Sequence, residues 1–296
     1  MRWPSLRGSL SFGLFSLAFL GGLWLVFGSR ENESGPDRLV FLQVGQGDAT
    51  LFQSGKRIVL VDTGPRNDQG DSAERIVAPA FYSIGVRTID LLILTHADAD
   101  HVGGLPALSR RFKFGRIVMP EAFRGHEDMA YWLSHSGLNW DDITWVHSEE
   151  KVQIGRWSVT MRCPPPGSAL SDNEGSMITL IESPDCRALL PGDAGEPAEA
   201  FYLGRYGSKP LDVLKAGHHG SRFSTGADWL KSWKARDVVV SCGRNNTYGH
   251  PHPSVMKRIQ EVGATVRRTD LEGHLEYRPT PEGFQLFRSI RGREKL

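Results

Sequence analysis

The hydrophobic positions of this chain fall into short runs that are separated by polar turns rich in glycine. Runs with β-branched and aromatic residues predict strands, whereas longer segments with apolar residues at helical spacing predict helices. Both kinds alternate in each half of the chain, which predicts an α/β fold with two sheets face to face, helices outside them and functional loops at one edge. The predicted strands are 39–44, 49–53, 57–62, 89–94, 157–163, 177–182, 187–190, 212–215 and 237–241. The predicted helices are 72–84, 105–111, 129–136, 227–233 and 254–261.

The amino-terminal part has a different pattern, because residues 8–29 include no charged side chain. This segment is long enough to cross a bilayer, which takes roughly 20 residues. Arg2 and Arg7 precede it and acidic residues follow it, so the positive-inside rule places the amino terminus in the cytoplasm and the remainder outside. Residues 26–29 form a poor cleavage site, which favours a single-pass anchor in the cytoplasmic membrane over a cleaved signal peptide; cleavage would give a secreted protein. The predicted organisation is an anchor or signal segment over 1–30, a linker over 31–37 and a folded domain over 38–296.

Composition narrows the classes of function. The 296 residues are 40% hydrophobic and 23% charged, so the chain is long enough to bury a full core. The formal net charge is +1, so a polyanion has to be bound by local patches and not by a basic field over the whole protein. The three cysteines are widely spaced and include no CxxC pair, which argues against a thiolate zinc site and a disulfide framework.

Candidate chemistry is concentrated directly after the apolar run 89–94. His96, Asp98, Asp100 and His101 lie within six residues, and Gly103-Gly104 follows them. A solvated acidic loop would explain the two carboxylates but not the imidazoles beside them. A loop at the carboxyl end of a buried strand can instead direct all four side chains toward cations, so this density predicts a metal site.

Four further segments end an apolar run in a polar residue next to a glycine-containing turn. Such turns let the backbone come close to a ligand. Taken singly, an aspartate at a strand end is a turn residue about as often as it is a ligand. Together with the loop at His96, the four segments predict one shared site. They are LVDTG with Asp62, LLPGD with Asp193, HHGS with His218 and His219, and YGHPHP with His250 and His252.

The order LVDTG, THADADHVGG, LLPGD, HHGS and YGHPHP resembles the metallo-β-lactamase fold, and specifically the carboxyl-terminal domain of ComEC-type DNA-internalisation (competence) proteins. VGQGDA at 44–49 also matches that branch, and the resemblance covers roughly 38–287. It implies a four-layer αββα sandwich, preceded here by the anchor or signal helix. The multi-spanning channel of the competence proteins has no counterpart in this sequence, so DNA transport is not implied.

The resemblance also implies two divalent metal ions. It makes His96 and Asp98 ligands of one ion and Asp100 and His101 ligands of the other, with Asp193 as the bridge. Asp98 stands where most of the superfamily has a histidine, which favours oxygen-preferring Mn²⁺, whereas the imidazoles keep Zn²⁺ as an alternative.

Other positions receive supporting roles from the same resemblance. His219 is expected to bind the second ion and His218 to face the substrate, although the reverse assignment stays open. The superfamily's additional histidine has no counterpart here, so the first ion is either weakly held or takes His250 instead. Asp62 is expected to orient the metal loop through hydrogen bonds. The residues expected to serve catalysis are Asp100, His218 and His250, and those expected to contact substrate are Ser221, Asn173, Ser176 and His252.

Two divalent ions roughly 3.5 to 4 Å apart can activate a water near neutral pH and hold a phosphoryl oxygen. His218 or His250 could then protonate the leaving alkoxide, and Ser221 could donate to a phosphate oxygen. We therefore expect a membrane-anchored, externally facing metal-dependent hydrolase, a phosphodiesterase or nuclease that acts on DNA or another phosphodiester. The alternatives are hydrolysis of a β-lactam or a phosphocholine-type ester on the same fold, and a non-catalytic binding domain of the cell envelope.

Overall fold

The computed structural model describes residues 35–67, 70–170, 172–206 and 208–290. Its strands pair into sheets. The strands within these residues are β1 (Asp37–Phe41), β2 (Thr50–Ser54), β3 (Arg57–Val61), β4 (Arg66–Asn67), β5 (Gly70–Asp71), β6 (Thr88–Ile93), β7 (Lys113–Pro120), β8 (Ile143–Val146), β9 (Glu149–Ile154), β10 (Trp157–Arg162), β11 (Ile178–Glu182), β12 (Arg187–Leu190), β13 (Val213–Lys215), β14 (Asp237–Val240), β15 (Thr265–Arg268), β16 (His274–Thr280) and β17 (Gly283–Ile290). The α-helices of the same ranges are α1 (Ala78–Ser83), α2 (Ala99–Val102), α3 (Leu105–Ser109), α4 (Glu127–Ser136), α5 (Glu196–Arg205), α6 (Ala227–Trp233), α7 (Pro253–Glu261) and α8 (Thr269–Glu272).

In the described part of the chain, two large sheets carry the fold. One has eight strands in the order β17-β16-β1-β2-β3-β6-β7-β8, and the other has seven in the order β15-β14-β13-β12-β11-β10-β9. Each sheet is antiparallel on one side and parallel on the other: β3, β6, β7 and β8 run parallel in the first, and β12 to β15 in the second. The carboxyl ends of parallel strands lie at the same edge of a sheet. The loops after β3, β6, β12 and β13 lie at this edge.

The buried apolar residues of the described ranges form three clusters. The central cluster lies between the two sheets, where Trp157 packs edge-on against Phe52 and stacks on Phe284, with ring centroids 5.2 and 5.1 Å apart. A second cluster lies between the eight-stranded sheet and α1, α3 and α4. A third lies between the seven-stranded sheet and α5, α6 and α7. The two sheets therefore pack on each other and are flanked by helices, as the sequence predicts.

Several of the elements that the hydrophobic pattern misses contain two or more charged residues. The sequence analysis gives no prediction for β7, β8, β9, β15, β16, β17 or α5. In β16, Glu276 is fully buried because Arg278 and Arg288 donate to its carboxylate at 2.9 and 2.7 Å. These partners come from neighbouring strand positions, so a local pattern cannot show that a glutamate belongs in the core.

The predicted anchor over 1–30 lies outside the described residues. Within the part of the chain that the structure describes, no helix is both long enough and apolar enough to cross a membrane. The single-pass topology therefore stays a prediction.

Candidate metal centre

Asp62, directly after β3, fixes the orientation of His101. Its carboxylate accepts from the backbone N–H of Thr95 at 2.9 Å and from the Thr95 hydroxyl at 2.8 Å. His101 Nδ1 lies 2.7 Å from Asp62 Oδ2, and since a carboxylate only accepts, Nδ1 carries the proton. His101 therefore directs its other ring nitrogen, Nε2, toward the site. This is the geometry that an orienting role for Asp62 requires.

His96 and His219 present the same nitrogen for similar reasons. The single proton of the Thr95 hydroxyl goes to Asp62, so the hydroxyl oxygen accepts from His96 Nδ1 at 3.0 Å. His219 Nδ1 donates to the carbonyl of Ser241 at 3.0 Å. Both rings are fully buried, or nearly so, and both direct Nε2 inward. A hydrogen bond at Nδ1 thus fixes the orientation of each of the three imidazoles.

Asp193, in the turn after β12, lies among these rings. Its Oδ1 is 3.1 Å from His101 Nε2, and its Oδ2 is 3.5 Å from His219 Nε2 and 3.7 Å from His218 Nε2. Burial opposes ionisation, but the imidazoles of His101 and His219 hold the pKa of Asp193 well below its usual range. The carboxylate is therefore charged and central, as a bridging ligand must be.

The loop after β6, which carries His96, Asp98, Asp100 and His101, is held in place by backbone hydrogen bonds. Thr63 N–H donates to the carbonyl of His101 at 2.7 Å, and Asp48 N–H donates to that of Asp100 at 3.1 Å. A β-carbon at Gly104 would collide with the carbonyl oxygen of Thr63, so only glycine fits there. Gly104 N–H also donates to the carbonyl of Gly64 at 2.9 Å, so the turn after this loop packs on the segment that follows β3.

The loop after β13 holds its two histidines in strained backbone. His218 and His219 both have positive φ, at 43° and 53°, a region that residues with a β-carbon rarely adopt. Such strain persists only where the surroundings impose it, and it is concentrated at functional sites. Here it turns His219 inward, where its Nε2 lies 3.2 Å from Asp100 Oδ2, and leaves His218 at the rim with about a third of its side chain exposed.

Asp48 and Lys215 are buried parts of the site that the sequence analysis does not assign. Lys215 Nζ lies 2.5 Å from Asp48 Oδ2 and donates to the carbonyls of Gly192 and Ala216 at 3.1 and 3.2 Å. Burial lowers the pKa of Lys215, but Asp48 and Asp193 outweigh it and raise that pKa above its ordinary value. One ligand atom each from Asp48, His101, Asp193 and His219 lie within 4.8 Å of one another.

The donor set fits a divalent ion. Buried His96 Nε2 and Asp193 Oδ1 make no well-directed hydrogen bond to any described residue. Buried polar atoms without partners are costly, and a cation facing imidazole nitrogen and carboxylate oxygen would satisfy both. Such mixed ligands suit Zn²⁺ and also Mn²⁺.

Protons compete with a metal ion for this site. Burial lowers the pKa of His101 and His219, but Asp193 outweighs it and raises the pKa of both rings. A bound metal requires neutral imidazoles, so its binding has to release protons and weaken as the pH falls.

The remaining predicted residues lie toward the opening. The side chains of Asp98 and Asp100 are 48% and 33% exposed, and Asp98 Oδ2 is 3.6 Å from His96 Nε2. The ring centroid of His250 is 5.6 Å from that of His218 and 6.4 Å from that of His219. Burial and these two neighbours lower the pKa of His250 to about 4, and burial also lowers the pKa of His218. Both rim histidines are therefore neutral at pH 7.

The four predicted substrate contacts separate into two groups. Asn173 Nδ2 is 3.4 Å from His218 Nδ1, and Ser221 is largely buried beside the His218 loop. Ser176 is fully buried and its hydroxyl accepts from Asp193 N–H at 3.3 Å, so it holds the backbone of Asp193 in position. His252 directly precedes α7 and caps it, because its Nδ1 accepts from Ser254 N–H at 3.2 Å. The structure gives these last two residues positioning roles, and contact with substrate stays a prediction.

Residues 42–244 match the Metallo-beta-lactamase superfamily. The chain belongs to this superfamily. It is 29% identical over 252 residues to ComE operon protein 3 of Bacillus subtilis, and the aligned region covers 80% of this chain and 32% of that protein. It is also 29% identical over 237 residues to Competence protein ComA of Neisseria gonorrhoeae, with 79% and 31% covered. The predicted resemblance to ComEC-type competence proteins is thus confirmed, and the chain spans about a third of the length of these relatives.

A ribonuclease and a solved structure are also similar to this chain. Ribonuclease TTHA0252 of Thermus thermophilus is 30% identical over 191 residues, which are 55% of this chain and 42% of that protein. The metallo-β-lactamase-fold protein YhfI of Bacillus subtilis superposes with a TM-score of 0.54 at 13% identity, covering 81% of this chain and 99% of YhfI. The latter likeness establishes the fold alone.

The Lys215–Asp48 pair gives a prediction about stability without metal. Breaking a buried pair leaves an uncompensated charge, which costs about 3–5 kcal/mol. Lys215→Met should therefore lower the free energy of unfolding by about that amount in urea titrations with EDTA. Adding Asp48→Asn should recover part of the loss, because both charges are then gone. Lys231→Met, on the exposed face of α6, is the control; equal stability of the two single variants would show that the pair contributes nothing.

Proposed function

We propose that this protein is a two-metal hydrolase of phosphodiesters that acts on DNA. Superfamily membership and a candidate metal site support metal-dependent hydrolysis, and the number of ions and the substrate are the proposal's own content. The main support is that the Nε2 atoms of His101 and His219 both face the buried carboxylate of Asp193. In addition, buried nitrogen and oxygen atoms of the site lack hydrogen-bond partners among the described residues.

The ligand assignment follows the positions of the side chains. His96 and Asp98 would hold one ion, Asp100, His101 and His219 the other, and Asp193 would contact both. Asp48 lies close enough to His101 and His219 to join the second group. When bound, such ions act as Lewis acids and supply an activated water.

The rim histidines would act on the substrate. A phosphodiester is an anion, and its approach favours protonation of His218 and His250, which are neutral without it. A protonated imidazole at the rim can neutralise an equatorial phosphate oxygen and pass its proton to the leaving alkoxide. Asn173 beside His218 is placed to hold that ring in position.

Two relatives support a phosphodiester as the substrate. One relative is named a ribonuclease and another a competence protein, and chemistry on nucleic acid fits both names. Because this chain spans only about a third of the competence proteins it matches, their whole activity is not carried over.

The test is hydrolysis by the purified full chain in detergent, with Mn²⁺ or Zn²⁺. DNA and bis(p-nitrophenyl) phosphate should be cut, whereas a β-lactam and a phosphocholine ester should not. Asp193→Asn should lose metal and lower turnover by orders of magnitude, since one carboxylate serves both ions. Asp185→Asn, in an exposed hairpin turn, is the matched control. Full activity of Asp193→Asn, or of protein stripped of metal, would overturn the two-metal mechanism.

A second prediction separates ligand from proton donor within the histidine pair. His219→Ala should lose metal because its Nε2 faces Asp100 and Asp193. His218→Ala should keep its metal and lose about 10²- to 10⁴-fold in turnover of DNA, the usual contribution of a general acid. The loss should shrink for bis(p-nitrophenyl) phosphate, whose leaving group needs no proton. The opposite metal contents would exchange the two roles.

We further propose that the site faces the outside of the cytoplasmic membrane, anchored through residues 8–29. Alkaline phosphatase fused after residue 38 should be active, and green fluorescent protein fused at the same point should be dark when exported by the general secretion route. The reverse pattern would place the site in the cytoplasm and remove external DNA as its substrate.

A further inference from the structure

Among the described residues, the two most exposed large hydrophobic side chains are Phe223 and Tyr248, at 65% and 71%. Single exposed aromatics are common on protein surfaces and need no explanation. The position of these two is unusual, because each lies in a loop that carries a rim histidine. Phe223 follows His218 by five residues, and Tyr248 precedes His250 by two.

The loop that carries Phe223 is fixed on both sides of the ring. The Phe223 carbonyl accepts from Glu196 N–H at 2.8 Å, and Arg258 Nη2 donates to the carbonyls of Arg222 and Ser224 at 3.2 and 2.7 Å. Buried Glu199 on α5 then accepts from the backbone N–H groups of residues 225 and 226 at 2.6 and 2.8 Å. These hydrogen bonds hold the backbone of the loop in a position that keeps the Phe223 ring outside the core.

The loop that carries Tyr248 is held in a similar way. The Asn246 side chain donates to the carbonyls of Gly243 and His250 at 2.9 and 2.6 Å and accepts from His250 N–H at 3.0 Å. The Tyr248 ring stacks on His250, with centroids 5.9 Å apart and planes 29° from parallel. One face of Tyr248 thus packs against a rim histidine, and most of the side chain is open to solvent.

Each ring is also accompanied by an exposed arginine. The Arg222 guanidinium lies 4.7 Å from the centroid of Phe223, and Arg244 is in the loop of Tyr248. Arg244 lines a cavity of about 410 Å³ together with Gln43 and His274. The net charge of the chain is only +1, so a polyanion depends on such local positive groups.

Two acidic side chains near Phe223 already have partners within the protein. Glu196 pairs with Arg258 at 3.2 Å, and Glu174 accepts from the backbone N–H groups of Gly195 and Ala198 at 3.1 and 3.0 Å. Both carboxylates are therefore engaged in holding the loops. Proteins bind a nucleic acid strand through its bases and its phosphates by combining exposed aromatic rings with positive side chains, and here two loops each carry an exposed aromatic residue and an arginine.

We propose that Phe223 and Tyr248 are stacking platforms for unpaired nucleobases next to the phosphodiester at the metal centre, so that the substrate is single-stranded nucleic acid. This rests on the proposed phosphodiesterase function and specifies its substrate. Bases within a duplex are stacked on each other and offer no free face to a protein ring, whereas every base of a single strand does. The two rings thereby select strand state and not sequence.

The test measures binding separately from hydrolysis. Binding of fluorescein-labelled oligothymidylate and of a matched duplex to the full chain is followed by anisotropy in EDTA, where no strand is cut. Base stacking is worth about 1–3 kcal/mol per base, so Phe223→Ala and Tyr248→Ala should each weaken single-strand binding by about 5- to 150-fold. Phe223→Trp and Tyr248→Phe should bind like the unsubstituted protein, because a ring is retained. Duplex binding should be weaker and change little in every variant.

Tyr131→Ala is the matched control, since Tyr131 is half exposed on α4, which packs on α3. With metal present, kcat/KM for the single strand should fall in the two alanine variants by more than kcat/KM for bis(p-nitrophenyl) phosphate. Alanine variants that bind the single strand like Tyr131→Ala, or that lose single strand and duplex equally, would overturn the proposal. If the unsubstituted protein cuts no phosphodiester at all, the proposed function fails. If it cuts DNA and neither alanine substitution changes the rate, only the stacking proposal fails.

Discussion

The constraint on which the site depends is the neutralisation of carboxylates that are almost completely buried in one small space. Asp48, Asp62 and Asp193 are each exposed by no more than 2%. A buried charge is tolerated only where partners of opposite charge or hydrogen-bond donors compensate it. Asp62 is compensated by Thr95 and His101, and Asp48 by Lys215. Asp193 has imidazoles around it but lacks a well-directed donor at Oδ1 among the described residues, and this is the place left for a cation.

This compensation explains why the loops adopt unfavourable backbone. Asp62, His218 and His219 all have positive φ without being glycine. Each of these conformations costs free energy, which the hydrophobic layers inside and outside the two sheets can supply because they hold the strand ends in place. The parallel halves of the sheets bring these ends to one edge. The free energy gained by burying apolar side chains thus fixes the directions in which the side chains of the site point.

The parts of the site that come directly after a strand could be predicted from the sequence, whereas the parts that precede a strand or belong to one could not. Asp62, Asp193 and the loop at His96 stand out because an apolar run ends in them. Asp48 precedes β2, and Lys215 ends β13 within an apolar run where it resembles a surface lysine. Only the antiparallel pairing of β2 with β3, which sets Thr50 opposite Val61, brings Asp48 to the same edge. The missed β16 has the same physical origin, since its buried Glu276 depends on arginines that a local pattern does not reveal.

The site is therefore built in two tiers that answer to different constraints. The floor of Asp62, Asp193, His101 and His219 is set by charge balance inside the protein and does not depend on what is hydrolysed. The rim is set by loops whose side chains are exposed, where a substitution costs little stability. A superfamily can keep the floor and change the rim, which is why the fold and the ligand set do not determine the substrate. In this chain the rim includes two neutral imidazoles, and two exposed aromatic rings and two arginines lie in the loops that carry them. Under the proposed function, these are the groups that would recognise an anion and a flat base.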